Sequence, residues 1–106
     1  MSKRLELLQN MLQNDGKDSF LHYAVAKELE SLGNYDEALK HFLFIKSNEP
    51  LYVGMYYHLG KLYEKMEEPD LALEAYSDGI TIAKKIPDFH ALSELNNAKL
   101  NLEMEM

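Results

Sequence analysis

YAVAKELE (Tyr23–Glu30) and YHLGKLYE (Tyr57–Glu64) lie thirty-four residues apart and share only their Tyr, Lys and Glu. Tyr23, Lys27 and Glu30 recur as Tyr57, Lys61 and Glu64, while the residues between them change. A second pair of stretches keeps the same offset, because LGNYDEAL (Leu32–Leu39) lies over MEEPDLAL (Met66–Leu73). Asp36 falls on Asp70, Ala38 on Ala72, Leu39 on Leu73 and Phe42 on Tyr76. Self-similarity at a fixed period of this length marks one supersecondary unit used twice. A small Ala lets two helix backbones approach, and the aromatic one turn later is expected to fill the groove between adjacent units.

The apolar residues around these stretches follow a helical period, and no useful length alternates as a strand would. Leu5, Leu8, Met11 and Leu12 form the stripe of a short first helix, stopped at Asn14-Asp15-Gly16. Asp18 or Ser19 is placed to cap a second helix with Leu21, Val25, Leu29 and Leu32 on one face. Gly33 closes it, since Gly takes the left-handed conformation without a Cβ penalty. Asn34 and Glu37 have the spacing of a capping box for a third helix, which turns Tyr35, Ala38, Leu39, Phe42 and Ile45 inward and is followed by Pro50. A fourth helix spans about residues 52–66, and Pro69 opens a fifth at a first-turn position that needs no N–H. Its inner face is Ala72, Leu73, Tyr76, Ile80 and Ala83. Pro87-Asp88 ends it and caps a sixth helix with the stripe Ala91, Leu95, Ala98 and Leu102. Links this short make consecutive helices antiparallel neighbours.

A chain of 106 residues is one domain's worth and needs no covalent staple to fold. With no Cys it has no disulfide framework, thiolate zinc site or Cys nucleophile. Its net charge of −7 argues against nucleic acid, whose binding draws on clustered Lys and Arg, and against anionic membrane surfaces. The start, MSKRLELLQN, lacks a continuous apolar region, and no stretch approaches membrane-spanning length, which reads as a soluble, cytoplasmic chain.

The spacing resembles the tetratricopeptide repeat, a 34-residue pair of antiparallel helices, as found in small stand-alone bacterial proteins. The matching residues are Gly33, Tyr35, Ala38, Phe42 and Pro50 in one unit, and Tyr56, Leu59, Gly60, Tyr63, Ala72, Tyr76 and Gly79 in the next. The first unit departs from the pattern with Val25-Ala26 and Leu29, and the second has Glu67 at the turn glycine and its proline displaced to Pro87. The resemblance implies an all-α superhelix of tandem antiparallel helix pairs, about six helices in one domain over 1–106. Repeats at 17–50 and 51–86 would lie between an N-terminal capping helix at 1–16 and a C-terminal one at 87–106, because two units leave apolar ends uncovered.

The same resemblance implies a role without chemistry, binding a peptide or protein segment in a concave groove lined by the first helix of each pair. Carried over position by position, the groove shows Phe20, Tyr23, Lys27 and Glu30, then Gly54, Tyr57, Lys61 and Glu64. Within each helix the Tyr, Lys and Glu stand on one stripe and face away from the packing. As a plain alternative, Lys27–Glu30 and Lys61–Glu64 are ordinary surface pairs. The family's clamp for a chaperone tail needs a Lys and an Asn one turn apart, then an Asn on the next groove helix. Tyr23, Lys27 and His58 stand there instead, so heat-shock chaperone tails are not the expected ligand.

Leu92, Leu100 and Met104 fall outside the clean stripe of the sixth helix. They read either as the second face of a cap or as a self-association surface, giving a monomer or a weak homodimer and, as the second function, a homo-oligomerising adaptor. A small metal-dependent enzyme is the remote third, resting on four His in an acidic chain. No metal-ligand spacing, nucleophile elbow or phosphate loop accompanies them, so no catalytic residue, metal or cofactor is expected. His22 occupies a position usually aromatic in the family and reads as packed.

Overall fold

The computed structural model describes residues 2–106, so Met1, the first residue of the expected N-terminal cap, lies outside the described residues. Among the described residues the elements are α1 (Lys3–Asn14), α2 (Ser19–Ser31), α3 (Tyr35–Asn48), α4 (Gly54–Lys65), α5 (Pro69–Lys85) and α6 (Phe89–Glu105), with no strand. The fold class is all-α, as the periodicity predicts. The chain divides into two compact units, one ending at Glu49 and one running from Pro50 to Met106.

In the first unit α1 packs on α2 and α2 on α3. Ser2 caps α1 by accepting the Leu5 N–H at 3.1 Å, and its hydroxyl donates to Glu28 of α2 at 2.9 Å. Leu5 and Leu8 are buried, whereas Met11 is exposed. The expected stripe is thus shortened, because a helix resting on one neighbour has only a narrow face to cover. Asp18 caps α2 through Oδ1, which accepts the Leu21 N–H at 3.1 Å. Leu32 was expected on the inner face, but it is the C-cap residue, outside the last turn, and is exposed.

The link after α2 is built from two backbone bonds. The Asn34 N–H donates to Leu29 O at 2.9 Å and the Gly33 N–H to Glu30 O at 3.0 Å, with Gly33 at φ +80°. These are the two bonds of a Schellman closure, which satisfies carbonyls the helix end would otherwise orphan. The expected side-chain cap from Asn34 is absent, because its ψ of 72° lies outside the extended geometry such a cap requires. Thirty-four residues on, the Glu68 N–H donates to Tyr63 O at 2.9 Å and the Glu67 N–H to Glu64 O at 3.1 Å. Glu67 takes φ +60° there, so the turn is kept even where the glycine is missing.

The second unit packs α4 on α5 and α5 on α6, with α4 also touching α6. The fourth helix starts at Gly54, two residues later than expected, and the Tyr56 hydroxyl holds the segment before it by donating to Pro50 O at 2.6 Å. Tyr76 was expected between units. Its ring instead lies against Gly60 of its own pair, where an added Cβ would stand 2.1 Å from Tyr76 Cε1. A Cβ on Gly79 of α5 would stand 2.6 Å from Tyr56 Cβ and 3.0 Å from the Leu95 methyls of α6. Two glycines therefore bring three helices together. Tyr56, Leu59, Leu62, Ala72, Tyr76 and Leu95 are buried around them.

Gly60→Ala is expected to lower stability by about 1–3 kcal/mol in urea denaturation, since the Tyr76 ring has no room to retreat. The turns give a reciprocal pair: Gly33→Glu should cost about 1 kcal/mol and Glu67→Gly should gain up to that amount, as the left-handed backbone no longer carries a Cβ. Equal effects of either sign at both turns would contradict this reading.

Candidate functional site

Each unit carries a polar strip on the first helix of its pair. In the first unit the Tyr23 ring meets the buried Phe42 edge-on, with centroids 6.4 Å apart. In the second, Tyr57 and the buried Tyr76 have the same centroid separation, 6.4 Å, at a tilt of 42°. Both residues of the pair shift by thirty-four, so an inner aromatic supports the outer tyrosine in each unit. Tyr23, Lys27, Tyr57 and Lys61 are all half-buried, which fixes their rings and stems while leaving surface to touch. Lys61 Nζ sits 5.6 Å from the Tyr57 centroid and 3.8 Å from Glu64 Oε2, so cation, ring and carboxylate form one cluster.

The glutamates depart from the expectation that the whole stripe faces away from the packing. Glu30 is only 7% exposed. Glu64 accepts a hydrogen bond from the Tyr76 hydroxyl, which ties it to the second helix of its pair. Burial, then the bond to Glu64, pushes the Tyr76 phenol well above its ordinary pKa, so it stays a donor. Phe42 has no hydroxyl to offer Glu30, so the two glutamates recur at one position with different surroundings. The stripe is therefore not uniform: Glu30 is buried, whereas Glu64, at the same spacing from its tyrosine, is half-buried.

The first unit adds a cleft of about 470 Å³ lined by Arg4, Phe20, Tyr23, Ala24, Lys27 and Glu28. Phe20 stands out at 62% exposed. Arg4 Nε lies 3.3 Å from Glu28 Oε1 at its rim. The structure thus brings Phe20, Tyr23 and Lys27 together and adds Arg4 and Glu28. Sequence reasoning missed those two, because the packing of α1 on α2 has no repeat signature. Tyr57, Lys61 and Glu64 cluster separately on α4. Gly54 begins that helix with open space around it.

On α6, Leu95, Ala98 and Leu102 are buried, Leu92 is half-buried, and Leu100 and Met104 are exposed. Phe89, 74% exposed, lies about three turns before Leu100 and joins its face.

A further pair escaped the sequence. His22, buried as expected, places Nδ1 2.9 Å from His41 Nδ1 on α3 and Nε2 2.7 Å from Gly16 O, with its ring stacked on Phe44 at 3.8 Å. Periodicity shows which residues share one helix face, but not which residues of two helices meet. Among the described residues, no three of His, Asp and Glu converge as a metal cluster would. No helix among them is long and apolar enough to cross a membrane.

Two closely built helix pairs of thirty-four residues, each closed by a left-handed turn, define the class of helical-repeat proteins. The family profile "Tetratricopeptide repeat" matches residues 53–86. The solution structure of a tetratricopeptide repeat domain protein from Salinibacter ruber is 43% identical, covering 81% of this chain and 87% of that one, with a TM-score of 0.78. The chain belongs to the tetratricopeptide repeat family. The repeat domain of yeast Sti1 in complex with an Hsp70 peptide has a TM-score of 0.89 at 16% identity, over 96% of this chain and 82% of that one. PcrH bound to the chaperone-binding region of PopD has a TM-score of 0.87 at 13% identity, over 95% and 77%. These two likenesses concern the fold alone. Comparison with curated proteins gives no match.

Tyr76→Phe is expected to cost about 1–2 kcal/mol by removing a hydrogen bond to a charged, partly wet acceptor. Because the raised phenol keeps its proton in the folded state, the wild type loses stability from about pH 10 upward, where the unfolded tyrosine ionises. The difference between the two proteins should therefore be level below that pH and shrink above it, read from urea midpoints across the alkaline range.

Proposed function

We propose that the chain is a non-catalytic docking scaffold that holds a peptide or protein segment against the first helix of each pair. Phe20, Tyr23 and Lys27 would make the contacts on α2, and Tyr57 and Lys61 those on α4. Glu64 orients Lys61 and Tyr76, and Glu30 acts from within the packing. The observation that carries this reading is the outer tyrosine backed by a buried aromatic in both units, beside a half-buried lysine. A ring and a cation fixed in this way lose little freedom when a ligand docks, so more of the contact energy remains as affinity. The relatives bound to an Hsp70 peptide and to a segment of PopD support the role, though not the partner. The net charge of −7 favours a protein partner over nucleic acid or an anionic membrane. In this reading the repeats occupy 17–50 and 51–86, with the helices at 1–16 and 87–106 as caps.

The exposed face of Phe89, Leu100 and Met104 favours a second reading, self-association through α6.

Affinity capture from a host lysate should recover partners with the wild type and lose them when Tyr23, Lys27, Tyr57 and Lys61 are all replaced by Ala. Equal recovery by a folded quadruple variant would sink the docking reading. Light scattering across concentration separates the second one: a mass that stays monomeric removes it, and a dimer abolished by Leu100→Glu with Met104→Glu supports it.

A further inference from the structure

The His22–His41 contact lies outside the docking strips and joins α2, α3 and the turn before α2. With Nε2 2.7 Å from a carbonyl oxygen that only accepts, His22 must carry its proton on Nε2 and offer the Nδ1 lone pair. His41 must then donate from Nδ1 across the 2.9 Å gap. The ring centroids are 5.2 Å apart, a separation made up of the nitrogen gap and two ring radii, so the two nitrogens face each other head-on. A proton fits between them. A metal ion does not, because two bonds of about 2.0 Å would have to share that gap.

We propose that His22 and His41 form a proton-limited lock on the first unit: the pair accepts one added proton and comes apart on accepting a second. The first proton goes to Nε2 of His41 and leaves the Nδ1–H···Nδ1 bond intact. A second has only His22 Nδ1 to take it, which sets two N–H groups against each other at 2.9 Å. Burial of His41, and then the neighbouring His22, lower its pKa in keeping with this limit. The charged surroundings do not relieve it. Glu37, one turn before His41, works the other way but is held by Lys40 at 3.1 Å. The turn contributes Asp15, Lys17 and Asp18 around Gly16, and Asp18 is committed to capping α2. From α1, the uncharged Gln9, Leu12 and Gln13 line a common pocket with His41.

The sign follows from proton binding. The unfolded chain takes up protons at both histidines below about pH 6.5, the folded pair takes fewer, and stability therefore falls as pH drops through that value. Each withheld proton lowers the folding equilibrium constant about tenfold per pH unit. Release of a segment held on α2 would follow in acid, and that consequence alone rests on the proposed function.

The test is an NMR titration of the histidine rings in the full, isotope-labelled chain from about pH 8 to about pH 4.5, a range spanning the ordinary histidine pKa. The expected result is His22 as the Nε2–H tautomer and His41 as the Nδ1–H tautomer at the alkaline end. One imidazolium should then form with α2 and α3 intact, and the second should appear only together with loss of their signals. Both rings fully protonated in a folded first unit would overturn the proposal. As a second measurement, hydrogen-exchange protection in α2 and α3 should fall less steeply with acid in His41→Gln than in the wild type, and equal steepness would count against the lock. Should that variant not fold, the wild-type titration still decides.

Discussion

The second unit depends on the seating of the Tyr76 ring against Gly60. An aromatic ring can be buried between two helices only if one of them gives up a side chain, and Gly60 does so. That close approach brings the Tyr76 hydroxyl to Glu64, one turn further along α4, and puts the ring behind Tyr57. Glu64 in turn draws in Lys61. A void at one backbone position thus sets the placement of an inner ring, an outer ring, a carboxylate and an ammonium. Gly79, one turn after Tyr76 on α5, repeats the device, with Tyr56 of α4 and Leu95 of α6 both against it.

The first unit reaches a related arrangement with different residues. Ala26 and Phe42 stand at the positions of Gly60 and Tyr76, so a methyl is gained on one side and a hydroxyl lost on the other. The outer tyrosine still meets its inner aromatic at the same centroid distance. The polar consequences differ, because Phe42 carries no hydroxyl to play the part that Tyr76 plays at Glu64. Variation between repeats therefore changes the electrostatics of the strip and the tilt of the rings while their separation is kept. This is how a repeat fold presents dissimilar surfaces from similar units.

Much of the fold was legible because it is local. Helix lengths, the turn at Gly33, the first-turn Pro69 and the Asp18 and Asp88 caps all follow from residues within a few positions of one another. Capping at Asn34 was misread because the Schellman closure uses its N–H and bends its backbone away from cap geometry. The outer strip was legible only in part. Tyr23, Lys27, Tyr57 and Lys61 stand on one face of each helix as the period requires, but Glu30, on the same stripe, is buried in the packing.

By itself the sequence determined the number of helices, the thirty-four-residue unit and the identity of the tyrosine–lysine stripe, since each is a matter of spacing along one helix or across one short turn. Only the tertiary structure decided that Glu67 takes the left-handed turn without a glycine, that Arg4 and Glu28 border the Phe20 cleft, and that His22 meets His41. These depend on how far one helix slides along another. That distance is set by the summed packing of side chains on both, a quantity no local pattern of residues encodes. YAVAKELE and YHLGKLYE thus announce the repeat, while the division of their polar residues between surface and packing belongs to the folded pair.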